Sequence, residues 1–420
     1  MPPTPASGRP RGRRISVKAI ALRATTYFVA TWGTLVLLSA GLFPHASRVT
    51  LGIALYTTIP IVAFAVWRGW PFYPGAAFRL LVVRPFWYAQ LLLPLVSSAG
   101  LIGLAGGAPF GQALSVGRAL AGAMLVVAVI VLVLGYLGAR RLVVRRVDVD
   151  VPGLAVEFDG LRIAQLSDLH VGPHTSRAFL DRVVKATQSL APDLIAVTGD
   201  LIDDRAEDVA AYARALGSLG APLGLYMIPG NHDVYAGWDD VERSLRAANL
   251  GTVLVNEVRV LTRGTARIAL VGTGDPAGGA RGASSAAPDV ERALAGVPAS
   301  ATVIAFAHNP ALWPALAARG VALTLSGHTH WGQFALPKLG WSLASPFLEH
   351  AMGAHADRNS LLYISPGTGY WGIPFRLGAS PEVTLVTLRR GDTAIARVHP
   401  ALAVRRTRRV RRRRPIASAA

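Results

Sequence analysis

A carboxylate and an imidazole stand two positions apart directly behind a short apolar run near the middle of the chain. The run, Arg162–Leu166, has the composition of a buried strand, and Asp168 and His170 follow it in the stretch LRIAQLSDLH. If the strand is still extended there, the two side chains point the same way, because extended residues alternate faces. An oxygen and a nitrogen ligand aimed together suit a divalent metal ion. Alone, such a pair is more often a polar strand end.

Four further polar clusters follow strand-like apolar runs in the same way. They are Thr198-Gly199-Asp200, Pro229-Gly230-Asn231-His232-Asp233, Ala307-His308-Asn309-Pro310 and Gly327-His328-Thr329-His330. The carboxyl ends of strands form the ligand crevice of open α/β sheets, so all five clusters are expected to converge there. A glycine before Asp200, Asn231 and His328 lets the backbone turn sharply as each strand ends. Any one cluster is also typical of a capped turn, but the five together indicate one site.

The clusters lie between residue 147 and about residue 400, where strand-like and helix-like patterns alternate. The expected strands are 162–166, 194–198, 224–228, 268–272, 302–307 and 322–326, and the expected helices include 177–190 and 239–248. This alternation predicts an α/β domain, 155–400, with largely parallel central strands behind a linker at 141–154. Later segments at 361–364, 383–388 and 394–398 lack intervening helices and predict antiparallel closure. The small residues of 276–287 predict an exposed loop.

The residues before this domain have the composition of a membrane region. The 420-residue chain is 52% hydrophobic and only 16% charged, which indicates membrane segments. Four uncharged apolar runs, near 25–43, 49–67, 86–104 and 120–137, each approach the ~20 residues that cross a bilayer. We therefore expect about four transmembrane helices within 25–140. A secretory signal peptide is the alternative for the first run, because basic residues precede it.

The net charge of +19 is unevenly distributed, since no Asp or Glu precedes Asp148 or follows Asp392. Residues 1–24 are rich in Pro, Gly and Arg and are expected to form a disordered basic arm. The basic loops favour a multi-pass protein of the cell membrane with its α/β domain in the cytoplasm. The arginine-rich tail, 401–420, is expected to be disordered and drawn to anionic lipids. Nucleic-acid binding is the alternative on charge alone, but the tail has no aromatic residue for base stacking.

The ordered set of clusters resembles the calcineurin-like metallophosphoesterase superfamily over about 155–390. Its stretches are SDLHVG, TGDLID, PGNHDVY, AHNP and SGHTHWGQ, and the flanking text is similar to membrane-attached bacterial phosphodiesterases of the UDP-2,3-diacylglucosamine pyrophosphatase type. The resemblance implies a four-layer α/β/β/α sandwich that binds two divalent ions (Mn, Fe or Zn). With no cysteine in the chain, the ligands must be nitrogen and oxygen. Asp168, His170 and His330 would hold one ion and Asn231, His308 and His328 the other, with Asp200 bridging.

The resemblance also implies a reaction. A hydroxide bridging the two ions would attack phosphorus in line, and the ions would neutralise the developing charge. His232 would protonate the leaving oxygen or hydrogen-bond the transition state, with Asp233 orienting its ring; a structural turn residue is the alternative for His232. The substrate would carry a phosphodiester or pyrophosphate bond, in a lipid or a lipid-linked nucleotide.

Trp331 stands where that branch often has a glycine and would place an indole at the substrate rim. Other apolar residues are candidates for the same rim or, equally, for ordinary core packing: Phe334, Leu336, Trp341, Phe347, Tyr370, Trp371 and Phe375. The histidines that match no motif are expected on the surface or in loops: His45, His174, His350, His355 and His399.

Three other functions remain open at this point. A catalytically inactive membrane sensor or scaffold with this fold predicts a missing ligand, and none of the seven is missing. A protein phosphatase of the superfamily usually shows Gly-Asp-x-Val-Asp-Arg-Gly, whereas Asp200 is followed by Leu-Ile-Asp-Asp-Arg. The only feature of the sequence that favours a nuclease is the arginine-rich tail.

Overall fold

The computed structural model describes residues 17–45, 47–53, 55–56 and 76–404. These residues fall into two compact units: the first contains the described residues up to 56 and those of Ala77–Ile130, and the second contains Ala76 and the described residues from Val131 onward. Most of the basic arm, most of the second apolar run and residues 405–420 of the tail lie outside the described residues, so the expectations for them stay predictions. Where these segments are described, the structure differs from the disorder expected for 1–24 and 401–420: a helix begins at Val17, and Leu402–Ala403 form a short strand.

The described part of the first unit is helical. Its long helices are α1 (Val17–Leu42), α2 (Arg84–Gly107) and α3 (Ala113–Gly138), and α3 continues into the second unit; shorter turns are Ala76–Phe78, Arg79–Val83 and Ala108–Phe110. Two helical stretches, Arg79–Phe110 and Ala113–Gly138, are long and apolar enough to cross a membrane. They contain the third and fourth expected spans. The described apolar part of α1 is Ala30–Leu42, which is shorter than a span, so four spans stay a prediction.

The second unit contains strands and shorter helices. Its strands are β1 (Val143–Pro152), β2 (Arg162–Leu166), β3 (Leu194–Thr198), β4 (Leu225–Ile228), β5 (Thr252–Val253), β6 (Glu257–Arg263), β7 (Ala266–Gly272), β8 (Thr302–Phe306), β9 (Leu323–Ser326), β10 (Ala335–Leu336), β11 (Trp341–Ser342), β12 (Gly353–Asp357), β13 (Ser360–Ile364), β14 (Glu382–Gly391), β15 (Ile395–Val398) and β16 (Leu402–Ala403). Its helices are α4 (Arg177–Ser189), α5 (Val209–Leu216), α6 (Asn231–Tyr235), α7 (Trp238–Ala248), α8 (Pro276–Arg281), α9 (Val290–Leu294) and α10 (Trp313–Ala317).

Two sheets contain most of these strands. The first has the order β15-β1-β14-β2-β3-β4-β5, with β16 beside β1, and the second has the order β12-β13-β9-β8-β7-β6. Strands β2 to β5 are parallel, as are β7, β8, β9 and β13. The α/β class and the parallel centre are therefore confirmed. Antiparallel closure is found for β14 on β2 and β15 on β1, but the segment 361–364 belongs to β13, which pairs parallel to β9.

The core of the second unit lies between the two sheets. Side chains of β2, β3 and β4 share one buried cluster with side chains of β7, β8 and β9. The opposite face of β2, β3 and β4 packs on α4, α5 and α7, while that of β7 and β8 packs on α9 and α10. Burial on both faces explains why these strands are continuous apolar runs rather than alternating ones.

Two sequence expectations need correction here. The presumed linker at 141–154 contains β1, whose Val147, Val149 and Val151 are buried in the intersheet core while it pairs with β14 over its whole length. Valine alternates with charged residues along β1, as expected for a strand, in which successive side chains point to opposite faces of the sheet. The presumed loop at 276–287 contains α8 and buries Ala277 and Ala286.

The 276–287 segment is ordered by polar side chains. The Asp275 carboxylate caps α8 by accepting a hydrogen bond from the Ala277 N–H. The Asn256 amide oxygen accepts from the N–H groups of Gly274 and Asp289, and its NH₂ donates to the Ala287 carbonyl. Most residues of the segment are exposed, as expected, but it contains a capped helix and not only a loop, and Gly278 and Ala286 are closely packed against each other.

Candidate metal centre

All seven predicted ligands lie just beyond the carboxyl ends of parallel strands. Asp168 and His170 follow β2, Asp200 follows β3 and Asn231 follows β4, while the other three follow β8 and β9 of the second sheet: His308, His328 and His330. The structure brings these side chains together in two groups that share Asp200.

The first group consists of Asp168, His170, Asp200 and His330. One ligand atom from each lies within 4.8 Å of all the others, and the four residues are buried. The Nε2 atoms of His170 and His330 are 3.0 Å apart. Asp168 Oδ1 lies 3.3 Å from His330 Nε2, and Asp200 Oδ2 lies 3.6 Å from His170 Nε2.

The second group consists of Asn231, His308 and His328, and His308 joins it to the same Asp200 oxygen. His308 Nε2 is 3.3 Å from Asp200 Oδ2 and 3.2 Å from Asn231 Oδ1. His328 Nδ1 is 2.8 Å from Asn231 Oδ1. Asp200 Oδ2 thus faces a histidine of each group, while Asp200 Oδ1 accepts a hydrogen bond from the His232 backbone N–H at 2.8 Å.

The ligands converge because the backbone turns away from strand geometry. Asp168 and His170 have φ values of 51° and 43°, so the extended backbone assumed from the sequence is not what aligns them. Asp200, His328 and His330 are also in the left-handed region, with φ of 51°, 71° and 49°. Non-glycine residues there cost about 1–3 kcal/mol each and concentrate at functional sites.

The glycines before the ligands serve two purposes. Gly199 has a φ of +86°, which fits the expected sharp turn. Gly230 has an ordinary φ, but a Cβ there would collide with the Asp200 carboxylate. A Cβ on Gly327 would likewise collide with the side chains of Ser167 and Asp168. Close approach, more than turning, therefore requires these last two glycines.

Burial and charge shift the ionisation of the ligands in opposite directions. Burial raises the pKa of Asp168. Burial alone would also raise the pKa of Asp200, but His308 and His232 hold it well below the ordinary value of an aspartate. Burial and the neighbouring His308 lower the pKa of His328 to about 4, so its ring is neutral and one ring nitrogen offers a lone pair. Two carboxylates surrounded by imidazoles form a donor set that suits cations.

Two side chains that the sequence analysis missed face the outer nitrogens of the first group. Asp203 Oδ1 lies 3.5 Å from His170 Nδ1 and its other oxygen lies 3.5 Å from His174 Nε2. The Arg376 guanidinium donates to His330 Nδ1 at 2.7 Å and to the His330 carbonyl at 3.0 Å. Asp203 ends the stretch TGDLID, three residues after the ligand Asp200, and this position in the sequence could have identified it. No motif in the sequence lies near Arg376.

His232 lies at the edge of the first group, 4.7 Å from His170 between ring centroids. Its Nδ1 donates to the Asp203 carbonyl at 2.7 Å and lies 3.5 Å from Asp204 Oδ1. Burial alone would lower the pKa of His232, but Asp200, Asp204 and Asp203 raise it to about 9.

Asp233 does not orient the His232 ring as expected. Its carboxylate accepts hydrogen bonds from the backbone N–H groups of Leu201, Ile202 and Gly230, because it lies beneath the loops that follow β3 and β4. Burial and the nearby Asp200 raise the pKa of Asp233 to about 7. Asp233 therefore shapes the loops that carry Asp200 and Asn231.

Trp331 is not at the rim. It is buried, its Nε1–H donates to the Ile364 carbonyl, and it packs with Trp313 and Leu362. Phe375 is buried as well, whereas Trp371 is half exposed and its ring lies edge-on to His232, 6.2 Å away between centroids. An aromatic side chain does stand beside the site, but it comes from a different loop.

The other histidines are mostly where loops place them. His174 is a turn residue, but its side chain is largely buried beside Asp203, which corrects the surface expectation for it. His350 and His355 are half-buried and stack edge-on near Trp313. His399 is exposed and pairs with Asp148.

This donor set fits divalent cations. Two buried imidazole nitrogens face each other at hydrogen-bond distance between two carboxylates, and the sharing of one carboxylate oxygen between the groups suits two neighbouring ions. Imidazole, carboxylate and amide ligands accept Mn, Fe and Zn alike.

Comparison with known proteins places these residues in a family. The family model described as calcineurin-like phosphoesterase matches residues 161–332. The chain is 35% identical over 254 residues to a Danio rerio protein named transmembrane protein with metallophosphoesterase domain, covering 58% of this chain and 57% of that one. A Helicobacter pylori metallophosphoesterase is 35% identical over 229 residues, 54% of this chain and 60% of its own length.

A third relative matches over most of its length. The Bacillus subtilis metallophosphoesterase YkuE is 32% identical over 236 residues, which cover 55% of this chain and 80% of YkuE. The chain thus spans a little over half the length of the first two relatives and four-fifths of the third. All five ligand clusters lie within the matched residues 161–332. The chain therefore belongs to the metallophosphoesterase family, with its calcineurin-like phosphoesterase region at 161–332.

Proposed function

We propose that this protein is a membrane-anchored, dinuclear metal-dependent phosphoesterase that hydrolyses phosphodiester or pyrophosphate bonds. The observation that carries the proposal is the position of Asp200 Oδ2, 3.6 Å from a histidine nitrogen of one ligand group and 3.3 Å from one of the other. A carboxylate oxygen that lies between histidines of two ligand groups supports a site for two ions over a site for one.

The proposed ligand assignment follows the two groups. Asp168, His170 and His330 hold one cation and Asn231, His308 and His328 the other, with Asp200 shared. When bound, such a pair of cations supplies an acidified water and neutralises charge on the phosphoryl oxygens. Catalysis by the cations needs a fixed cage, and the buried contacts of the ligands supply it.

His232 is the proposed proton donor to the leaving oxygen. The hydrogen bond from its Nδ1 to the Asp203 carbonyl fixes the ring and makes Nε2 the nitrogen that meets substrate. Trp371 and Tyr235 flank the ring, with centroids 6.2 and 5.6 Å away, and limit how water reaches it. Asp233 contributes by holding the loops that present Asp200 and Asn231.

The proposed setting is the cell membrane. Helix α3 is long and apolar enough to span a bilayer, and only a short connection separates it from β1 of the phosphoesterase unit. The basic loops favour a cytoplasmic catalytic unit, and the arginine-rich tail, outside the described residues, is proposed to bind anionic lipids. A tethered site meets lipid phosphates at high local concentration, so a lipid or lipid-linked nucleotide is the proposed substrate class.

Metal removal and a substrate panel test the proposal. The full chain, purified in detergent and stripped with a chelator, should lose turnover of bis(4-nitrophenyl) phosphate and regain it with Mn²⁺. Among a lipid pyrophosphate, a phosphopeptide and single-stranded DNA, the lipid pyrophosphate should be hydrolysed fastest. Full turnover by the metal-free protein would contradict the dinuclear mechanism, and faster cleavage of phosphopeptide or DNA would contradict the substrate class.

The inactive-scaffold alternative has no support from the ligand geometry. A scaffold places no demand on ligand convergence, yet five of the ligands adopt costly left-handed backbone conformations at the site. A protein with both ions bound and no turnover on any phosphoester tested would favour the scaffold.

A further inference from the structure

An exposed apolar hairpin projects from the phosphoesterase unit. Residues 334–348, called the apolar hairpin below, contain β10 and β11 joined by the turn Pro337–Leu339. Leu339 is 75% exposed and Phe347 84%, and three more leucines are exposed by 38 to 43%: Leu336, Leu343 and Leu348. Apolar side chains clustered this densely on a surface mark an interaction site.

The chemistry of the apolar hairpin fits lipid better than a polar partner. Its only charged residue is Lys338, at the tip beside Leu339, and residues 334–348 contain no acidic residue. Leucine, phenylalanine and a single cation are the composition of segments that lie in the headgroup region of a bilayer. A lone lysine there also matches anionic lipid.

The base of the apolar hairpin is fixed to a second loop, 371–378. The Ala335 N–H donates to the Leu377 carbonyl at 2.8 Å, and Gln333 exchanges hydrogen bonds with the backbone of Trp371. Trp371 is itself half exposed, and an indole is the side chain that prefers a membrane interface.

The same loop contacts the end of the apolar helix α3. The Arg376 N–H donates to the Gly135 carbonyl at 2.8 Å. A Cβ at Gly135 would collide with the Phe375 ring, and one at Gly138 would collide with the Arg376 carbonyl. Within the second unit, therefore, the last two turns of α3, the 371–378 loop and the base of the apolar hairpin form one continuous set of contacts.

We propose that the apolar hairpin, with Trp371, docks on the bilayer that α3 enters. The inference rests on the proposed membrane anchoring, because α3 brings the 371–378 loop to the level at which the helix leaves the lipid. The observation that carries it is this continuity between helix end and exposed leucines. Docking would hold the phosphoesterase unit on the bilayer at a second point, in addition to helix α3.

The docked hairpin determines what reaches the metal centre. Phe334 follows His330 by four residues, and Trp371 lies edge-on to His232. The edge of the site that carries His232 therefore lies next to the lipid surface. The substrate is a phosphate presented at that surface, with its apolar part left in the bilayer beside the apolar hairpin.

Site-specific labelling tests the docking without using activity. Because the chain has no cysteine, single variants Leu339→Cys and Phe347→Cys can each be labelled with bimane in the full chain, reconstituted in phosphatidylcholine–phosphatidylglycerol vesicles. Brominated lipid should quench both labels about threefold more than a label at Val156→Cys, an exposed residue of the same unit outside the hairpin, and iodide should quench them less. A label at Val127→Cys in α3 reports whether the helix itself lies in lipid.

Each outcome decides the matter. Labels at 339 and 347 quenched by iodide as strongly as at 156 would overturn the docking. So would labels shielded from both quenchers, which would indicate a second copy of the chain on the hairpin. No lipid quenching at 127 would instead contradict the membrane anchoring of the proposed function.

A kinetic comparison adds a second readout. In the double variant Leu339→Asp with Phe347→Asp, the ratio of lipid-pyrophosphate turnover in vesicles to bis(4-nitrophenyl) phosphate turnover should fall about tenfold. The matched variant Val156→Asp should leave the ratio unchanged. An unchanged ratio in the double variant would overturn the docking, while a parent protein inactive on both substrates would contradict the proposed function and leave the quenching result standing.

Discussion

The two halves of the metal centre use similar ligands, but they are supported in different ways. In the first half, the outer nitrogens of His170 and His330 face charged side chains, Asp203 and Arg376. In the second half, the outer nitrogen of His308 donates to a backbone carbonyl, that of Thr198, at 2.8 Å. The histidines of the first half are therefore oriented by side chains, which a substitution can remove, whereas His308 is oriented by the backbone at the end of a strand.

This difference predicts unequal tolerance to substitution. Backbone support persists as long as β3 and β8 fold, since it belongs to the sheet itself. Side-chain support depends on a buried guanidinium and a carboxylate, each of which also carries other contacts. The histidines of the first half should therefore be more sensitive than His308 to substitutions outside the ligands.

The largest effect is expected at the residue common to both halves. Asp200→Asn keeps the side-chain size but removes the charge shared by the two groups, so turnover should fall by more than about 1,000-fold. Metal content measured by mass spectrometry should drop for both ions together. The exposed Asp240→Asn on α7 is the matched control. Retention of one full equivalent of metal with near-normal turnover would contradict the bridging position.

Asn231→Ala separates the halves. It removes the amide oxygen that lies 2.8 Å from His328 Nδ1 and 3.2 Å from His308 Nε2, while leaving the first group intact. Metal content should fall from about two ions per chain toward about one, and turnover should fall about 100-fold. Loss of both ions would show that the two halves bind their ions cooperatively, and it would contradict the separation of the centre into two independent halves.

Arg376→Met tests support of the first half from outside the ligands. The guanidinium is fully buried, donates to the carbonyls of Pro366 and Gly369, and holds both the ring and the backbone of His330. Its loss leaves buried carbonyls unpaired, which we expect to lower the free energy of unfolding by about 3–5 kcal/mol. Affinity for one ion should fall about 10- to 100-fold.

A conservative variant and a surface control make the Arg376 result interpretable. Arg376→Lys restores charge without the planar fork and should recover only part of the metal affinity. Arg243→Met, on the exposed face of α7, should change neither the denaturant midpoint nor the metal content. If Arg376→Met loses both ions equally, the residue supports the whole unit rather than the first half.

Local sequence patterns predict some of the strands that carry the metal centre, but not all the strands of the unit. Strands β2 and β3 lie on the predicted residues because strands buried on both faces are continuous apolar runs, and the ligands follow them directly. Strand β1 was missed since Val147, Val149 and Val151 alternate with charged residues and resemble a linker. Local patterns therefore predict the central strands and the ligands that continue from them.

The supporting residues depend on tertiary packing and leave no local pattern. Arg376 reaches a ligand 46 positions away in the sequence, and its neighbours resemble an ordinary loop. Trp331 was placed at the rim because it follows a ligand, yet its left-handed backbone, with a φ of 51°, goes with an indole packed into the core. Adjacency in sequence predicts where the backbone of a residue lies, but the direction of its side chain depends on conformation.

The smallest effect is expected for Asp203→Asn. The carboxylate lies 3.5 Å from His170 Nδ1, longer than a strong hydrogen bond, and the amide keeps an oxygen that can accept from that nitrogen. Affinity for the first ion should fall about tenfold, the lower end for residues that orient a metal ligand, while affinity for the second stays the same. Titration of metal-free protein with Mn²⁺, followed by calorimetry, measures the two steps separately. A fall in the second affinity alone would reverse the comparison, because it would mean that the Asp203 carboxylate acts through His232, whose Nδ1 lies 3.9 Å away, and not through His170.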